Sequence, residues 1–170
     1  MKIKTNEICL YGILGAVLFV SKFAMSFIPN VEPVSLLLII YTLIFGIKAI
    51  YSLTTYVLLE FLIYGFGFWS IAYLYIWLIL MIASIIISKI TNNNMNTLLW
   101  ASVSGMFGLI FGALYIPLYV VSVGFEAAII WWISGILFDI IHGVANFTLC
   151  IILFKPITNI LSKLKQYKIN

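Results

Sequence analysis

Fourteen charged side chains are all this chain has to break an otherwise apolar sequence, and that constrains its fold more than any motif. The 170 residues carry nine lysines, five acids and no arginine, and 65% of the chain is hydrophobic against 8% charged. A soluble domain carries about 25% charged residues, so a globular surface of ordinary polarity cannot be assembled here. Apolar segments near the length of about 20 residues needed to cross roughly 30 Å of hydrocarbon recur along the chain. The expected spans are Ile8–Ile28, Val34–Ile47, Ala49–Tyr64, Ser70–Ser88, Thr97–Val121 and Ala127–Phe154. The second, at 14 residues, is short, and Lys48 at its end can snorkel to the interface. The expectation is a single all-α domain: an integral membrane bundle of six transmembrane helices over residues 1–170.

Charge placement orients that bundle. Six crossings put Lys2, Lys4, Lys48, Lys89, Lys155, Lys163, Lys165 and Lys168 on one side and leave only Lys22 outside the set. The positive-inside rule then places both termini in the cytoplasm. Spread over loops and tails, the lysines form no patch for nucleic acid. Usage rich in Ile, Asn and Lys points to an AT-rich bacterial genome, and hence to a multi-pass protein of the bacterial cytoplasmic membrane. The N-terminal run lacks a small-x-small cleavage site and is read as a mature helix. Lys155-Pro156 should end the sixth span. A short amphipathic cytoplasmic tail over about 157–170 should follow, with Ile157, Ile160, Leu161 and Leu164 opposite Lys163, Lys165 and Lys168.

Acids at membrane depth are costly to keep and so point to function or to fixed pairing. Asp139, His142 and Asn146 stand at i, i+3 and i+7, one helical face that should point into the bundle. It serves either a proton relay or ligand contact, or a hydrogen-bonded lock between helices. Glu60 lies between Tyr56 and Tyr64, each one turn away, and Lys22 is the nearest intramembrane cation. Lys22 can pair with Glu60, reach Glu32, or meet an anionic substrate. Aromatics crowd one end of the spans and are sparse at the other. Trp69, Tyr73, Trp77, Tyr115, Tyr119, Trp131 and Trp132 all fall there, either as an interfacial belt or as the lining of a pocket for a flat organic ligand. Small residues mark packing faces: Ser104, Gly108 and Gly112 on the fifth span, and Gly12, Ala16 and Ala24, interrupted by Val20, on the first.

Cys9 and Cys150 have no metal-site spacing, the chain holds one histidine, and no GxxxxGK[ST] loop is present. An enzyme is therefore not expected, and no cofactor is.

With its six expected spans, basic start and small-residue stripe on the first span, the chain resembles a substrate-binding S component of an energy-coupling factor (ECF) vitamin transporter. The segment Phe27-Ile28-Pro29-Asn30-Val31-Glu32-Pro33-Val34-Ser35 is similar to a Pro-Asn-x-x-Pro-Val stretch found in some of these proteins. The resemblance implies a subunit that captures a vitamin from outside and docks through its first span onto a membrane coupling subunit. Two partner ATPases then supply ATP hydrolysis. The implied docking residues are Gly12, Ala16 and Ala24. The expected ligand contacts are Asn30, Glu32, Trp69, Tyr73, Trp131 and Trp132, with Glu60, Tyr64 and Asp139 around them. A ringed vitamin or precursor, such as a cobalamin or a flavin, is the expected cargo. The other readings are a self-contained proton-coupled secondary transporter using Glu60, Asp139 and His142, and a structural or assembly protein of the membrane.

Overall fold

The computed structural model describes residues 4–168, with side chains through residue 166; Lys2 and the side chains of Tyr167 and Lys168 lie outside the described residues. Eight α-helices follow one another: α1 (Thr5–Ala24), α2 (Val34–Phe45), α3 (Ala49–Tyr64), α4 (Phe68–Ile90), α5 (Thr97–Leu109), α6 (Ile116–Val123), α7 (Phe125–Ser134) and α8 (Ile136–Lys168). Short 3-10 turns at Gly46–Lys48 and Ala113–Tyr115 complete the described residues' regular structure, and no strand is present among them. Polar and flexible residues set the boundaries. Gly46, Gly65 and Gly124 take positive φ where α2, α3 and α6 end, as do Asn92 and Asn93 in the turn after α4. Asn96 caps α5, its side-chain oxygen accepting from the backbone of Leu98 and Leu99.

Four apolar helical stretches are long enough to cross a bilayer: Thr5–Ala24, Val34–Tyr64, Phe68–Ile90 and Ile136–Gln166. The pair Thr97–Leu109 and Ala113–Val123, bent by 54°, makes up to five. The Val34–Tyr64 stretch is folded back on itself. Lys22, which bonds Glu60 near the end of α3, also lines a cavity with Glu32 just before α2. A straight helix would hold residues 32 and 60 about 40 Å apart at 1.5 Å per residue. The reversal occurs at the Gly46–Lys48 turn.

Three expectations from the sequence are corrected. The helix expected from Thr97 to Val121 breaks at residues 110–112. Pro117, near the start of α6, offers no N–H to the carbonyl one turn back, and a 3-10 turn precedes it. The helix expected from Ala127 to Phe154 is split into α7 and α8 at Gly135. Conversely, Lys155-Pro156 ends nothing: α8 runs through an exposed Pro156 to Lys168. The expected separate tail is the last part of this one helix. Leu161 is buried, Ile160 is exposed, and Lys165 donates to the Ile44 carbonyl at the end of α2.

The core forms around α2, in which every residue but Leu43 is buried. A helix apolar on all sides has no solvated face to offer and belongs at the centre of its bundle. α1 packs lengthwise on α3, and α5 on α8. Glycine permits both close approaches. A Cβ on Gly15 would stand 2.5 Å from Thr55 Cβ, and one on Gly108 would stand 2.7 Å from the Gly143 backbone. The outer surface is lined with Ile13, Val20, Leu58, Ile82, Leu98, Met106 and Val144, all exposed, as befits lipid-facing helices. Among the described residues, Lys48, Lys89, Lys155 and Lys165 share one end of the bundle. Lys22 and the loops before α2 and α4 share the other, with the α6–α7 hairpin.

Candidate ligand-binding site

Two cavities adjoin at the Lys22 end, sharing Asn30 and Phe111 as a common wall. The first, about 240 Å³, is lined by the loop Ile28–Glu32 together with Lys22, Tyr73, Trp77, Phe111 and His142. The second, about 340 Å³, lies under the α6–α7 hairpin. Trp69, Tyr115, Tyr119, Trp131 and Trp132 form its walls, and Asp139 and Gly112 form its polar side.

A polar network fixes the floor of the first cavity. Glu32 caps the start of α2, accepting from the Val34 N–H at 2.7 Å and from the Ser35 hydroxyl at 3.0 Å. The same carboxylate lies 3.2 Å from His142 Nε2, and Asn146 Nδ2 donates to Ser35 Oγ at 3.0 Å. Two of the three polar residues on the α8 face thus tie that helix to the mouth of α2. With Glu32 accepting at Nε2, the neutral imidazole presents Nδ1 as an acceptor, and Nδ1 has no partner among the described residues. The indole N–H of Trp77 is likewise buried without a partner. Water or a ligand must satisfy both groups.

Lys22 is held rather than free. It pairs with the fully buried Glu60 at 2.7 Å. Its ammonium also sits over three rings, 5.5 Å from Tyr64, 5.1 Å from Trp69 and 4.9 Å from Tyr73. The pairing with Glu60, one of the options open in the sequence, is the one present. The second oxygen of Glu60 and the Tyr56 hydroxyl lie near each other but outside hydrogen-bonding geometry.

Asp139, the third polar residue on the α8 face, serves the break in α5. Gly112 leaves the helical ladder there, and its freed N–H donates to Asp139 Oδ1 at 2.9 Å. A Cβ on Gly112 would stand 2.5 Å from Asp139 Oδ2, so glycine is needed for the carboxylate to reach. The Trp132 indole N–H sits near this carboxylate, outside hydrogen-bonding geometry. Tyr119 and Trp131 stack at 3.9 Å, closing the hairpin side. Glu60, Asp139 and His142 therefore engage three separate partners, Lys22, Gly112 and Glu32.

Of the expected contacts, Asn30, Glu32 and Tyr73 line the first cavity, and Asn30, Trp69, Trp131, Trp132 and Asp139 the second. Glu60 and Tyr64 line neither; they hold Lys22 from behind. Phe111 and Gly112 were not expected at the site. Read as mid-helix residues, they reach it because α5 breaks beside them. Gly12 and Ala16 are half-buried and Ala24 is exposed; a Cβ on Gly12 would meet nothing within 4 Å, unlike one on Gly15. Among the described residues no group of three His, Cys, Asp or Glu side chains can hold a metal ion. Comparison with known protein families, with curated proteins and with solved structures finds no match for this chain.

Proposed function

We propose that this chain is the cargo-binding subunit of a membrane importer of the energy-coupling factor type. It captures a ringed vitamin or precursor from outside and performs no chemistry itself. The observation that carries the reading is the pair of adjoining cavities at one end of the bundle. Their walls are aromatic, and their few polar groups are fixed by buried hydrogen bonds, the usual composition of a small-molecule site. Cavities of 240 and 340 Å³ suit a flat cargo of a few rings, such as a flavin, better than a bulky corrinoid such as cobalamin.

In this reading α2 and α3 each cross the bilayer, α5 with α6 makes one crossing, and α7 with α8 makes another. Six crossings result, with both termini in the cytoplasm of a bacterium. The lysine-bearing end then faces inward and the cavities open outward. Gly12, Ala16 and Ala24 form the docking face for a membrane coupling subunit, and two partner ATPases supply the energy.

The test is a titration of the detergent-purified chain against a vitamin panel, read by the fluorescence of Trp69, Trp131 and Trp132. Saturable binding of one ringed cargo is expected, with no uptake by the chain alone in proteoliposomes under a proton gradient. Silence across the panel, or gradient-driven uptake without partners, would overturn the proposal.

A further inference from the structure

Asp139 is the one buried carboxylate among the described residues that lacks a cation. Of the other buried acids, Glu7 pairs with Lys48 and Glu60 with Lys22. Asp139 is 8% exposed. Its Oδ1 takes the Gly112 N–H, the Trp132 indole N–H lies beside the carboxylate outside hydrogen-bonding geometry, and the residue lines the second cavity. A buried charge without a counter-ion is costly to keep. No described lysine supplies one, since Lys22, the cation at this end, is held by Glu60.

The chain also holds a completed version of the same arrangement. Around Lys22, one buried carboxylate and three aromatic rings surround a single ammonium. The second cavity repeats the parts, a carboxylate with Trp69, Tyr115, Tyr119, Trp131 and Trp132, and no side-chain cation enters it. Trp69 belongs to both sets. Glu32 and Asp139 line the two cavities, and the one lysine there, Lys22, is already paired with Glu60 behind it, so the local field opposes an anionic ligand.

We infer that the second cavity binds an organic cation: a ring nitrogen with fixed positive charge, or a protonated amine. It is seated among the rings of Trp69, Tyr115 and Trp131, with the Asp139 carboxylate as its counter-ion. Aromatic rings attract such a charge through their quadrupoles, and a desolvated carboxylate adds direct pairing. This names the class of cargo and takes its physiological meaning from the importer reading; the binding itself does not depend on that reading.

The test uses three probes of similar shape and different charge: 1-methylnicotinamide, methylated on the ring nitrogen (cation), nicotinamide (neutral) and nicotinate (anion). Their binding to the purified chain is measured by calorimetry. The cation is expected to bind roughly tenfold more tightly than the neutral probe, with the anion weakest. Asp139→Asn keeps an acceptor for the Gly112 N–H and removes the charge. It should cost the cation about tenfold and leave nicotinamide unchanged. If Asp139→Asn does not yield a monodisperse protein, Trp131→Leu, which removes one ring, should weaken the cation by a similar factor.

Equal affinity for all three probes overturns the inference. So does an absent response to the cation, or cation binding untouched by these variants. A neutral or anionic vitamin bound tightly while the cation is ignored would sink this inference and leave the importer reading standing. Cation binding with partner-independent, gradient-driven uptake would do the reverse.

Discussion

Single side chains at the cavity end are held by contacts that leave little room for substitution. Lys22→Met leaves Glu60 fully buried without a counter-ion, which costs about 3–5 kcal/mol when a buried pair loses one partner. The purified variant should lose monodispersity at a markedly lower temperature, and adding Glu60→Gln should recover much of the loss. Recovery that fails to appear would mean Lys22 acts through its aromatic neighbours and not through charge. Gly112→Ala pushes a methyl onto the Asp139 carboxylate, and overpacking of this kind costs roughly 1–3 kcal/mol. The same melting assay reads that change, and an unshifted midpoint would show that the break in α5 relaxes easily. The Lys22–Glu60 contact was within reach of the sequence, because one lysine and few acids sit at membrane depth. The Glu32–His142 contact was not. Its partners are 110 residues apart, and their meeting depends on how α2 packs on α8.

Among the helices, the two glycines of α1 separate a packing contact from the proposed docking face. Gly15 presses on Thr55 and the Ser52 carbonyl, while Gly12 meets nothing within 4 Å. Gly15→Leu should therefore destabilise the α1–α3 pair and lower the yield of folded protein. Gly12→Leu should fold and bind cargo as the natural chain does, yet lose uptake in cells that contain the coupling partners. Normal uptake by Gly12→Leu would remove α1's outward face from the docking proposal. Most helix positions were legible from apolar runs and their glycine, proline and asparagine punctuation: α1, α2, α3 and α4 begin and end near the expected residues. The breaks at 110–112 and at Gly135 were not legible. Continuous hydropathy cannot distinguish a straight apolar helix from a bent one, and the Gly112 N–H freed at the bend that precedes Pro117 is satisfied only by a tertiary contact, with Asp139. Pro156 misled in the other direction, since a proline removes one hydrogen bond from the helical ladder without having to end it, and α8 continues through it.

At the level of the whole molecule, orientation decides whether the cavities can serve as a receptor. Phe66 and Met95 are both exposed and occupy turns at opposite ends of the bundle. In a Cys9→Ser background, Phe66→Cys should react with an impermeant maleimide on intact cells. Met95→Cys should react only after permeabilisation. The opposite pattern would turn the site toward the cytosol and end the importer proposal.

The ion pairs Glu7–Lys48 and Lys22–Glu60 clamp α1 to α3 near both ends, with Gly15 letting the two backbones touch between them. Two helices riveted in this way tilt as one plank. If a partner grips the free flank of α1, as proposed, its pull would reach the wall of the first cavity through Lys22, turning a hold on the outside of the protein into leverage on the cargo.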